Sequence, residues 1–147
     1  MNLFRMNRWP AAAGMAAASL AASQAAASDA GLDITVTTPT AESGGVYVAV
    51  HESGETFPGG EAAYGTRSSP ADSQARLSVG PLPPGRYAVA AFQDLNANGK
   101  LDTNLAGVPT EPFGFSRNAR GAMGPPDFAD AAVSVPAVRR VEIHLLD

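Results

Sequence analysis

Oxygen-bearing side chains recur at alternate positions near the middle of the chain. Asp94, Asn96 and Asn98 are followed by Gly99, Lys100 and then Asp102. This matches the first nine positions of a twelve-residue calcium loop. Such a loop takes side-chain oxygens from positions one, three and five and turns sharply at a glycine in position six. A backbone carbonyl serves at position seven, here that of Lys100, and position nine, here Asp102, binds directly or through water. Position twelve is Leu105, so the usual bidentate glutamate is missing, and Glu111 is the next carboxylate able to supply it. Calcium is the expected cation. The same residues also suit an Asx-rich turn, in which Asp and Asn side chains bond their own backbone. Both readings stay open on the sequence alone.

A second group follows a few residues later. Phe113, Phe115, Ser116, Arg117, Asn118 and Arg120 combine aromatic rings, cations and hydrogen-bonding groups in eight residues. Arginine beside aromatic side chains on a loop suits a carboxylate, a sugar or a partner strand, so these six are the expected ligand-binding set. For Arg120 the simpler expectation is capping of loop carbonyls or pairing with Asp127 or Asp130. No catalytic residue is assigned. The chain has no cysteine, and Ser116 lacks a G-x-S-x-G context. His51 and His144 both fall at outward strand positions, where solvated histidines are common. Neither has a metal-type partner at i+4.

The elements that must hold these groups read as strands. Leu32, Ile34 and Val36 alternate with polar residues, and Val46, Val48 and Val50 form a second inward face opposite Tyr47, Ala49 and His51. Residues 52–75 carry heavy Gly and Pro punctuation, with at most one helical turn near residues 61–64. Phe57 and Tyr64 are expected to tuck onto the sheet edge. A short strand follows over residues 75–79, then a tight turn at residues 81–85. Residues 86–93 are apolar on both faces, Tyr87, Val89 and Ala91 against Ala88, Ala90 and Phe92, as in a central strand. Residues 131–135 and 139–146 supply two closing strands joined at Pro136. Six to seven short strands without an amphipathic helix predict an all-β antiparallel sandwich. Residues 103–129 form one long loop, ordered and Ω-type, because it holds Phe113, Phe115 and Phe128.

Residues 1–27 read as a cleaved signal peptide, with Arg5 and Arg8, an Ala-rich apolar stretch and an A-x-A site at Ala25 and Ala27. That stretch is short of the ~20 residues a stable membrane span needs. The single sandwich domain then covers residues 28–147, and the expected location is periplasmic or secreted. Losing Arg5 and Arg8 takes the basic residues from ten to eight against fourteen acids, a net charge of −6. Such a balance disfavours nucleic acid and anionic membranes as partners and tolerates cations. An extracytoplasmic protein or small ligand is the expected partner.

Several motifs in combination resemble a family of secreted bacterial proteins known only as a domain of unknown function. They are L-P-P-G-x-Y at residues 82–87 and D-x-N-x-N-G-K-L-D-T-N at residues 94–104. G-x-P-x-E-x-F-G-F-S-x-N-A-R-G follows at residues 107–121 and G-P-P-x-F-x-D-A at residues 124–131. The first motif is also similar to the turn of transthyretin-like modules. The resemblance implies a prealbumin/immunoglobulin-like sandwich of about seven strands and carries no established activity. The functional expectation is a non-enzymatic binding or interaction module with a calcium-type loop. The alternative is a small secreted enzyme or a carbohydrate-active accessory domain.

Processing gives the first test. Exported protein should begin near Ser28 and lack tryptophan fluorescence, since Trp9 is the one tryptophan. Mass spectrometry finding residues 1–27 retained would contradict this.

Overall fold

The computed structural model describes residues 30–39, 44–69 and 73–146. The expected leader lies outside these residues. The chain forms β1 (Ala30–Thr37), β2 (Gly45–His51), β3 (Tyr64–Ser68), β4 (Gln74–Leu82), β5 (Gly85–Asp94) and β6 (Phe113–Phe115). A single helical turn α1 (Phe128–Ala131), β7 (Val133–Val135) and β8 (Arg140–His144) complete it. One sheet has the order β4-β1-β8, and the other has β3-β2-β5-β6 with β7 also on β5. The result is an all-β sandwich, with eight strands among the described residues.

The alternation seen in the sequence builds the space between the sheets. Leu32, Ile34 and Val36 of β1 meet Val46, Val48 and Val50 of β2 and Tyr87, Val89 and Ala91 of β5. Leu77 and Val79, Val133 and Val135, and Val141, Ile143 and Leu145 complete that core, all buried. Pairing is antiparallel except at one place: β1 and β8 run parallel, from Asp33 opposite Arg140 to Thr37 opposite His144.

β5 is the strand on which the second sheet depends. Every residue from Tyr87 to Asp94 is buried. Its other face, with Ala88, Ala90 and Phe92, packs under a second apolar cluster containing Phe57, Leu101, Phe115 and Ala131. Alanines on that face let the covering chain come close. Tyr47 stacks on Phe92 with ring centroids 5.1 Å apart and planes within 9°. The residues after β2 and after β5 thus form a third layer over the five-stranded sheet.

Several expectations need correction. The turn expected over residues 81–85 is tighter, because β4 continues through Leu82 and only Pro83 and Pro84 separate it from β5. Tyr87 pins that corner by donating its hydroxyl to the Pro83 carbonyl at 2.6 Å. Ala131 ends the α1 turn, so the strand begins only at Val133. The long loop at residues 103–129 is ordered but is not one loop, since β6 lies within it and pairs with β5 from Phe92 opposite Phe113 to Ala90 opposite Phe115. β3 was hidden in a stretch read as irregular. Its residues, Tyr-Gly-Thr-Arg-Ser, carry no apolar alternation, and an edge strand needs only backbone pairing with β2. The helical turning falls at residues 54–59 rather than 61–64.

His51 is the sharpest departure. It was expected to face solvent, yet it is fully buried. The turn after β2 folds over it. Its Nδ1 lies 3.3 Å from Thr56 Oγ1, and Phe57 meets its ring edge-on at 5.6 Å between centroids. Among the described residues nothing bonds its Nε2. Burial therefore lowers its pKa from 6.5 to about 4.

Two expectations follow from this packing. Val89→Asp should unfold the domain, because an unpaired buried carboxylate costs several kcal/mol against a total stability of about 5–15 kcal/mol. An unchanged melting curve by circular dichroism would contradict this placement of β5. For His51, the unfolded chain binds a proton near pH 6.5 and the folded chain only near pH 4. Between those values the unfolded state holds more protons, so stability falls as pH drops through that window and is insensitive to this group above it. The loss should be on the order of 3 kcal/mol, and His51→Phe should remove it in urea titrations at stepped pH.

Candidate functional site

Two features meet at the end of β5. The first is the turn that carries Asp94, Asn96, Asn98 and Asp102. Asp94 is buried, and its carboxylate accepts the Asn98 N–H at 3.2 Å and the Gly99 N–H at 2.7 Å. Gly99 has φ +78°, which gives the sharp turn expected at that position. Asn96 Oδ1 accepts the Asn98 N–H at 3.2 Å, and Asn98 Oδ1 accepts the Lys100 N–H at 3.0 Å. The Asx-rich turn is thus the observed arrangement. Across its mouth lies Asp102, which accepts from Asn98 Nδ2 at 2.8 and 2.9 Å and from Asn96 Nδ2. The Lys100 side chain is exposed.

Glu111 brackets this turn. It is buried, with Oε1 accepting the Leu95 N–H at 2.8 Å and Oε2 the Asp102 N–H at 3.0 Å. It ties the two ends of the turn together, so each of its oxygens already serves a backbone amide. Among the described residues no three His, Cys, Asp or Glu side chains gather as a metal-holding group. An ion here would rely on two carboxylates, Asp94 and Asp102, and on neutral oxygens.

The second feature begins two residues beyond Glu111. Phe113 pairs with Leu146 beyond the end of β8, its N–H donating at 3.0 Å and its carbonyl accepting at 2.9 Å. Gly114 then packs close against β8, where a Cβ would lie 2.9 Å from Ile143 Cγ2 and 3.0 Å from the His144 carbonyl oxygen. Arg117 and Asn118 adopt positive φ, 59° and 48°. The Asn118 side chain reaches β8, where its Oδ1 accepts the His144 N–H at 2.9 Å. A cavity of about 420 Å³ is lined by β6, by residues between 118 and 126, and by His144 at the end of β8 and Leu146 beyond it.

Of the six residues expected to bind a ligand, Phe113, Phe115, Asn118 and Arg120 line this cavity, and Ser116 and Arg117 do not. Arg117 is exposed. Ser116 is fully buried, accepting the Val89 N–H at 2.9 Å and donating to the Ala131 carbonyl at 2.5 Å. Its role follows from β5. On that edge β7 pairs with β5 only up to Tyr87 and β6 only from Ala90, which would leave the Val89 amide unpaired. The Ser116 hydroxyl fills the gap. Arg120 is exposed, and among the described residues it forms no ion pair with Asp127 or Asp130. His144, Leu146 and Pro126 also line the cavity. The sequence offered no local signal for them, because 26 residues separate His144 from Asn118.

A family model described as an uncharacterized protein conserved in bacteria, DUF2141, matches residues 34–144. The chain belongs to the DUF2141 family. The matched span of this DUF2141 chain includes β2 to β7, the Asp94 turn and the cavity wall from Phe113 to Arg120. No curated protein and no solved structure matches it.

Ser116→Ala should leave the buried Val89 N–H and Ala131 carbonyl without partners, at about 1–3 kcal/mol for each. Denaturant unfolding should register that loss. A nucleophilic Ser116 would instead predict unchanged stability.

Proposed function

We propose that this DUF2141 chain is a non-enzymatic binding module of the periplasm or extracellular space. Its ligand pocket is the cavity between β6 and β8, and a calcium-type ion held by residues 94–102 stiffens one wall. The observation that carries this reading is the convergence of Phe113, Phe115, Asn118 and Arg120 on one cavity. An aromatic and apolar enclosure with a few convergent polar groups is the usual form of a small-ligand site. Ser116 is sealed in the core, and among the described residues the lining holds His144 but no Ser, Thr, Cys or Lys, which leaves the pocket without a nucleophile of the usual kind.

Support for the ion comes from the Asp94 turn. Oxygens of Asp94, Asn96 and Asn98 gather on the amides of Asn98, Gly99 and Lys100, and the Asp102 carboxylate lies across from the side-chain amides of Asn96 and Asn98. Each of these oxygens carries a second lone pair that a cation can use. The Lys100 carbonyl would join them, and Glu111 would shape the loop through its two amides. Glu111, Pro112 and Phe113 are consecutive, and the Pro112 carbonyl accepts the Gln93 N–H of β5 at 2.9 Å. An ion that fixed the turn would thereby fix Phe113.

Two carboxylates imply weak affinity, on the order of 10⁻⁴ to 10⁻³ M, with magnesium competing poorly. Calcium at tenfold over the dissociation constant should stabilise the fold by about 1.4 kcal/mol. Asp94→Ala should abolish the melting shift and Asp102→Ala reduce it. Glu111→Gln should lower stability with or without calcium; a loss confined to the calcium-loaded state would make Glu111 a ligand. Absence of any calcium-dependent shift or calorimetric heat at several millimolar would refute the ion site.

A further inference from the structure

The cavity between β6 and β8 does not end at Phe113. A second hollow of about 360 Å³ shares Phe113 and Gly124 with the first. Its remaining lining is Ala106, Gly107, Val108, Pro109, Met123 and Pro125, without one charged or hydrogen-bonding side chain. Met123 is fully exposed at 102% and Val108 at 54%. Apolar side chains left in water beside a hollow mark a surface built to be covered. Methionine in particular adapts its shape to a flexible apolar guest.

The two hollows differ in character. The first holds Arg120, His144 and Asn118. Asn118 gives its Oδ1 to the His144 amide and keeps its Nδ2 as a donor. No Asp or Glu lines either hollow, although the chain carries fourteen acids against ten basic residues. The site thus presents one permanent cation and further donors at one end and a purely apolar trough at the other. One arginine matches one monovalent, planar anion, which it can grip through two parallel hydrogen bonds. Two hollows that meet at one ring suit an unbranched, flexible chain better than a rigid bicyclic body.

We infer that the joined hollows bind a linear aliphatic carboxylate, with its head at Arg120 and His144 and its tail running over Phe113 to Met123 and Val108. This rests on the reading of the cavity as a ligand pocket and names the ligand's chemical class. It does not require the calcium site.

The test uses hexanoate, octanoate and decanoate below their micelle concentrations, with 1-octanol as the uncharged counterpart. Binding is followed by calorimetry and by amide resonances over residues 113–124. Affinity should rise about fourfold per added methylene, the factor corresponding to ~0.8 kcal/mol per buried CH₂. Arg120→Gln should weaken octanoate about tenfold and leave octanol unchanged. Met123→Ser should flatten the gain from octanoate to decanoate while sparing hexanoate. Both side chains are exposed, so neither change threatens the fold. Equal binding of octanol and octanoate, or no effect of Arg120→Gln, overturns the inference. If no aliphatic acid binds but a peptide with a free carboxyl terminus shifts the same resonances, the aliphatic ligand is wrong and the binding-module reading survives. If a broad ligand panel also leaves those resonances unmoved, that reading falls as well.

Discussion

A strand buried on both faces must be covered twice, and β5 sets that requirement for the rest of the molecule. Its inward side is covered by β1, β4 and β8 of the opposite sheet. Among the described residues its outward side meets no third sheet. The chain answers with the segments that follow β2 and β5, which lay Phe57, Leu101, Phe115 and Ala131 over the small residues Ala88 and Ala90. The same strand exposes one backbone edge that two short strands, β6 and β7, cannot fill completely. A buried N–H without a partner costs about as much as a lost hydrogen bond. Ser116 removes that cost at Val89, and in doing so fixes where the chain turns toward β8.

The candidate site is a consequence of this covering layer. Glu111 holds both ends of the Asp94 turn, Pro112 bonds β5, and Phe113 closes the second sheet against Leu146. Asn118 then holds the following chain to β8 through the His144 N–H, and the hollow lies beneath that chain. Polar loop and apolar pocket are therefore two ends of one short, tightly bonded segment. Motion at the turn would be felt at Phe113 after only two residues.

How much of this was legible depended on the kind of signal. Strands with an alternating apolar face, such as β1 and β2, are readable because burial on one side imposes a period of two. β5 was readable for the opposite reason, its apolar run on both faces. β3 was not, since an edge strand can rest on backbone bonds alone and its Gly, Thr, Arg and Ser give no pattern. β6 was concealed by its length of three residues and by Gly114 between two phenylalanines. The burial of His51 could not be seen because it depends on the Phe57 turn folding back over it. Within the candidate site, the mix of aromatic, cationic and hydrogen-bonding side chains pointed to Phe113, Phe115, Asn118 and Arg120. Ser116 looked like part of the same set because its type and position fit, while its actual task is set by a gap in strand pairing that only the topology reveals.

Amide hydrogen exchange, measured with and without calcium, bears most directly on the claim that turn, covering layer and pocket wall act as one unit. Amides of Val89 and Gln93 should exchange only through global unfolding, because Ser116 and Pro112 hold them beneath the covering layer. Calcium should slow exchange over residues 95–102 and, through Glu111, at Phe113 as well. Rapid exchange at Val89, or protection by calcium that stops at residue 102 and leaves Phe113 unchanged, would contradict the coupling between the turn and the pocket.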